Sequence, residues 1–173
     1  MTPLLEIAFV LPWVIFVAYG DWRHRAVPNA LTYGGIFLAA AIQFGNGVDC
    51  GIGSLVTGLF SAFFIFLPFL CRAAGAADVK LMFAAGVFAG PGRTFPLLAA
   101  VSASGLVLVA VMLCLKAANP ARLKHYFRSV FDFRYDRKAG AATLPSKDDE
   151  KSRVPFAVAI GLGLLIVLLS EVA

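Results

Sequence analysis

Residues 3–30 read PLLEIAFVLPWVIFVAYGDWRHRAVPNA. From Pro3 to Gly20 the only charge is Glu6; the run then breaks at Asp21 into Arg23, His24 and Arg25 before Pro28 and Asn29 reopen an apolar stretch. Such a run matches a hydrocarbon core about 30 Å thick, which takes about 20 apolar residues per helix. No Lys or Arg precedes it, so it lacks the basic start of a cleavable signal peptide and reads as a spanning helix.

The rest of the chain has the same character. Of 173 residues, 60% are hydrophobic and 14% charged, and 16 are Phe; the mean hydropathy is +0.85. An ordinary soluble domain is excluded, because so few charges, gathered in clusters, cannot cover an aqueous surface. Further apolar runs cover 30–44, 52–71, 79–90, 95–115 and 154–170, separated by Gly, Pro or charge. The expectation is an all-α polytopic membrane protein of about six transmembrane helices in a single domain, 1–173. The fourth run is short: its twelve residues rise only about 18 Å. Its helix is therefore expected to begin nearer Gly75, which draws Asp78 and Lys80 toward the membrane.

Cys50, Cys71 and Cys114 stand far apart with no CxxC pair. Neither a metal site nor a disulfide framework is indicated, no cofactor is called for, and the three are expected to be small buried residues. A net charge of +5 raises nucleic acid as a partner. The basic residues sit beside apolar runs rather than on a groove-reading helix, so a nucleic-acid partner is set aside.

Six spans divide the loops into two sets. One holds Arg23, Arg25, Arg72, Lys80 and ten basic residues between Lys116 and Arg153; the other holds only Arg93. By the positive-inside rule the first set is cytoplasmic and both termini lie outside the cytoplasm. Within the cytoplasmic loop 116–153, Leu123, Tyr126, Phe127, Val130 and Phe131 recur at helical spacing among Arg122, Lys124, Arg128 and Arg134. That pattern predicts an interfacial amphipathic helix on an anionic leaflet, followed by a solvated linker.

Carboxylates at a spanning segment cost a few kcal/mol at mid-bilayer, about 2.5 to 3.5 on insertion scales, and invite explanation. Glu6 and Glu171 lie at outer helix ends, where water reaches them. Asp21 and Asp78 share the cytoplasmic depth. If a bundle brings them together, like-charge repulsion of about 4 kcal/mol at 4 Å in an effective dielectric near 20 favours a pair holding one proton. One member then takes a proton from water while the other donates to a carbonyl. From the residues alone, catalysis, ion handling and plain interfacial solvation all stay open. Around the two acids, Pro28 restricts the turn, Asn29 is placed to cap the second helix and Gly75 loosens the backbone ahead of Asp78. Arg23, Arg25 and Lys80 either bias a carboxylate or mark the cytoplasmic side.

These residues resemble the motifs of the prepilin peptidases, intramembrane aspartic proteases, and especially their short form from Flp-type, tight-adherence pilus systems. Asp21 with Arg25, Val27, Pro28 and Asn29 is similar to the family's Asp-x(n)-Arg-x-Ile-Pro-Asn stretch. Gly75-Ala76-Ala77-Asp78-Val79-Lys80-Leu81 is similar to its GxGD-V-K-L motif, with Ala77 where the second glycine stands. Val154-Pro155-Phe156-Ala157 followed by Ala159-Ile160-Gly161 resembles the start of the last helix.

The resemblance implies that Asp21 and Asp78 are the catalytic pair, shaped by Arg25, Pro28, Asn29, Gly75, Ala77 and Lys80. It also implies that the substrates are type IV or Flp prepilins, or pseudopilins, cut after a small residue at the cytoplasmic face. Larger relatives carry an N-terminal domain with paired CxxC motifs that methylates the new N-terminus. None fits before Pro3, so cleavage without N-methylation is expected. Two competing readings are a proton-coupled transporter and a non-catalytic scaffold of a pilus assembly system.

Overall fold

The computed structural model describes residues 3–24, 27–70, 74–115, 155–170 and 172. Six helices are described: α1 (Pro3–His24), α2 (Asn29–Gly45), α3 (Val48–Leu70), α4 (Ala76–Ala89), α5 (Thr94–Cys114) and α6 (Phe156–Leu169). They stand where the apolar runs were read, and no strand occurs among the described residues. The predicted amphipathic helix of loop 116–153, Arg25, Cys71 and Glu171 lie outside them.

The polarity of the molecule is inverted relative to a soluble protein. Phe95 is 83% exposed and Phe37 and Phe63 are each 73% exposed, whereas Ser54 and Ser61 are fully buried. In water so much contiguous apolar surface would aggregate; facing lipid tails it needs no cover. Two of the buried hydroxyls bond within their own helix, Ser54 Oγ donating to Cys50 O at 2.6 Å and Thr57 Oγ1 to Gly53 O at 3.1 Å, whereas the buried Ser61 Oγ meets no hydrogen-bond partner among the described residues. The expectation for cysteine burial is corrected: Cys114 is exposed and Cys50 half-buried, both as free thiols, because a weakly polar thiol is as acceptable on a lipid-facing surface as in a core.

Among the described residues, three helices are long and apolar enough to cross a membrane: Leu5–His24, Val48–Leu70 and Thr94–Cys114. The other described helices are shorter, α4 among them. From Leu81 to Ala89, all but Phe83 are buried, since α2, α3 and α6 all pack on this helix. It is apolar all round because protein surrounds it, as expected for a fully enclosed helix. Its fourteen residues rise about 21 Å.

Close approach of α3 and α4 depends on bare backbone. A β-carbon on Gly86 would lie 2.6 Å from Gly58 Cα and 2.9 Å from Ser61 Oγ. This small-residue seam is how apolar helices associate without a hydrophobic drive between them. On the other side of α4, Trp13 Nε1 donates to Leu31 O at 2.9 Å, and its ring lies 5.1 Å from that of Phe88. That indole ties α1, α2 and α4 together.

The pairings fix the helix directions. Asn29 meets Lys80 and Gln43 meets Phe88, so α2 and α4 run parallel. Asp21 meets Ala157, and Val14 lies against Gly161, so α1 and α6 run antiparallel. One end of the bundle therefore gathers the C-terminus of α1 and the N-termini of α2, α4 and α6. The opposite end is closed by Asn46 Nδ2 donating to Glu6 Oε1 at 2.8 Å and by Arg93 Nη1 donating to Ala89 O at 2.8 Å.

One pair of identical substitutions separates packing from propensity. Gly86→Ala should lower the unfolding free energy by about 1–3 kcal/mol through overpacking. Gly34→Ala, where an added β-carbon meets nothing within 4 Å, should leave it unchanged or raise it by up to about 1 kcal/mol. Denaturant titration in mixed micelles measures both.

Candidate active site

The end of the bundle that gathers three helix N-termini is also the end that gathers the acids. A helix leaves its first N–H groups without intrahelical partners, and in an apolar surround each needs another acceptor. At the start of α6 the N-cap is Pro155, which makes no side-chain cap. The acceptor comes instead from α1: Ala157 N–H donates to Asp21 Oδ2 at 2.9 Å. Asp21 is 9% exposed and Ala157 1%. Sequence reasoning did not single out Ala157 as part of the site; the legible signal was Pro155, a proline at a helix start.

Asp78 is held in the same way but locally. It is the third residue of α4, and its Oδ2 accepts the Gly75 N–H at 2.8 Å. Both carboxylates thus sit at the positive end of a helix dipole, where a negative charge is favoured. The reason given above for Gly75 needs correction. Its φ of −88° and ψ of 162° are extended backbone open to any residue, and a β-carbon there would meet Asp78 Oδ2 at an ordinary 3.5 Å. What Gly75 contributes is its N–H. Ala77 lies inside α4, so its β-carbon sits on ordinary helical backbone that alanine favours.

The role expected of Asn29 changes too. The N-cap of α2 is Pro28, at φ −58° and ψ 141°, and no side chain caps the helix. Pro28 presets this turn, and its carbonyl accepts from Leu31 N–H at 3.0 Å. Asn29 Oδ1 instead accepts from Lys80 Nζ at 2.9 Å. The same ammonium stands 4.6 Å above the centre of the Tyr33 ring. Tyr33 was missed in the sequence, although its spacing of four from Asn29 puts both on one face of α2. Lys80 is therefore a tie between the two motifs as well as a basic residue near a helix end. Of the other basic candidates, Arg23 Nη1 donates to Tyr19 Oη at 3.1 Å, and Arg25 lies outside the described residues.

The sequence-predicted residues therefore converge on one end of one bundle. Asp21 closes α1, Pro28 and Asn29 open α2, and Gly75, Ala77, Asp78 and Lys80 open α4. Val27 and Val79 pack on the shared core beneath them. The molecule is an all-helical membrane protein with two carboxylates anchored at helix N-termini and a lysine bridging their motifs. The model of the type IV leader peptidase family matches residues 8–111, a stretch that contains both acids. The chain belongs to the type IV leader peptidase family. No curated protein and no solved structure matches it significantly.

A double-mutant cycle tests the bridge. Asn29→Ala and Lys80→Met should each lower stability, and the double variant should cost less than their sum by about 1 kcal/mol, the net worth of one such bond. Additive costs would show that the two side chains do not interact.

Proposed function

We propose that this chain is a prepilin leader peptidase of the short, Flp-associated kind, an intramembrane aspartic endopeptidase whose catalytic pair is Asp21 and Asp78. Membership of the leader peptidase family supports a protease acting on pilin-like precursors. The observation that carries the finer reading is the bond from Lys80 Nζ to Asn29 Oδ1 at 2.9 Å, which joins the motif of one acid to the motif of the other at a single end of the bundle.

In this reading the six helices all span the membrane as one domain, 1–173. The end bearing Asp21 and Asp78 faces the cytoplasm, and both termini lie outside it. Among the described basic residues, Arg23 and Lys80 lie at that end and Arg93 at the other, in the sense that the positive-inside rule requires. A precursor with a basic leader in the cytoplasm and an apolar helix in the bilayer then presents its junction at the depth of the acids. Anionic lipid alongside the basic end is the matching environment.

The chemistry needs one proton shared between two carboxyl groups. The ionised member draws a proton from water as that water attacks the scissile carbonyl, and the protonated member donates to the carbonyl oxygen. The tetrahedral intermediate collapses as the amine leaves with a proton from the pair. Lys80 and Asn29 keep the two motifs in register, Pro28 presets the turn into α2, Gly75 holds Asp78 through its N–H, and Ala77 continues the first turn of α4. Arg25 adds a positive charge near Asp21 in sequence. Cleavage proceeds without N-methylation.

Asn is a good helix-end acceptor, so exchange of either acid for its amide keeps the backbone contact and removes the proton chemistry. Asp21→Asn and Asp78→Asn should each lower processing of a co-expressed Flp-type prepilin by at least about a hundredfold, with membrane levels unchanged by immunoblot. Asn variants that still cut would exclude the pair. A wild type that leaves several pilin-like precursors intact would favour a non-catalytic scaffold.

A further inference from the structure

The family match ends at residue 111, yet one of the two acids is held by a helix that begins at Phe156. We propose that the first turn of α6, through the Ala157 N–H, is a positioning element of the active site that fixes the Asp21 carboxylate for catalysis; this rests on the peptidase reading above. The donor and acceptor are 136 residues apart in sequence and 2.9 Å apart in space. Both residues are buried, where each hydrogen bond a carboxylate keeps counts for more than it would in open solvent. The contact also stands in for a cap that α6 lacks, since Pro155 offers no side-chain acceptor.

The packing makes the contact rigid. A β-carbon on Gly161 would lie 2.7 Å from Val14 Cγ1, so α1 and α6 also meet closely deeper in the bundle than the Asp21–Ala157 bond. The same α6 also packs on α4, whose first turn carries Asp78. Helix α6 therefore references one acid to the element that carries the other. The α1 and α4 helices share less direct packing with each other than either shares with α6. Acids that must share a proton tolerate little displacement, and a misplacement of about 1 Å can cost about a hundredfold in rate.

The test exchanges one N–H for an ester oxygen and leaves every side chain in place. Replacing Ala157 with lactic acid by nonsense suppression turns that amide into an ester; the corresponding ester at Ile160 weakens the body of α6 to a similar degree and serves as the control. With a prepilin substrate, the ester at 157 should lower kcat at least tenfold with KM unchanged and displace the acid limb of the pH–rate profile, while the ester at 160 keeps kcat within twofold. Wild-type kcat and pH profile at 157, or equal losses at both positions, would overturn the proposal. A stability cycle supplies a readout independent of cleavage: the ester at 157 should lower the unfolding midpoint in the parent chain but not in Asp21→Ala. Should the all-amide parent cut no precursor, the peptidase reading fails. The cycle still decides whether α6 holds Asp21, and an unchanged cost in Asp21→Ala overturns that contact.

Discussion

A helix leaves its first N–H groups without intrahelical partners, and at one end of this bundle two helices meet that requirement with carboxylates. At α4 the acceptor is Asp78, three residues after Gly75 in the same chain segment. At α6 it is Asp21, brought across from α1. Two acids that would be expensive in lipid are thereby made useful to the fold, because each is bonded to backbone and placed at the favourable end of a helix dipole. The same placement brings them to the end of the bundle where α1 hands over to α2. On the proposed reading, a structural demand of the membrane and a chemical demand of hydrolysis fall to the same side chains.

Holding such a site without a soluble-type core calls for other devices. The outward faces are rich in Phe and Leu, and the inward faces carry hydroxyls and bare glycine backbone. Helix α4 is the hub: short, enclosed and in contact with α2, α3 and α6. Its enclosure explains why a segment too short to qualify as a span by length stands at the centre of the bundle. The far end is tied by Gln43 Nε2 donating to Phe88 O at 3.2 Å and by Asn46 to Glu6. The near end is tied by Lys80 to Asn29. Between the two ties α2 and α4 are held parallel, so the opening turns of both helices stay side by side.

Much of this was legible in the sequence. Apolar runs bounded by Gly, Pro and charge placed all six described helices, and the arithmetic of a twelve-residue fourth run moved its start back toward Gly75, where α4 begins at Ala76. Asp21 and Asp78 stood out because charge at the edge of an apolar run is costly. What sequence could not supply was partner choice across long separations. Asn29 is a good capping residue by type, yet its oxygen is taken by Lys80, fifty-one positions away. Gly75 suggests an unusual turn, yet its backbone is ordinary and its N–H is what counts. The role of Ala157 rests on a backbone group, which every residue but proline has, so no side-chain pattern could mark it.

The central claim is that the end of α1 and the start of α4 meet, so that Asp21 and Asp78 form a pair. The most direct measurement is cross-linking of Asp21→Cys/Asp78→Cys in a chain with Cys50, Cys71 and Cys114 replaced, using a short bifunctional thiol reagent in native membranes. Glu6→Cys/Asn46→Cys, a contact of 2.8 Å in the native pair, sets the positive control. The account predicts rapid intramolecular cross-linking of the 21/78 pair at a rate comparable to the control. A control that cross-links while the 21/78 pair does not would contradict it.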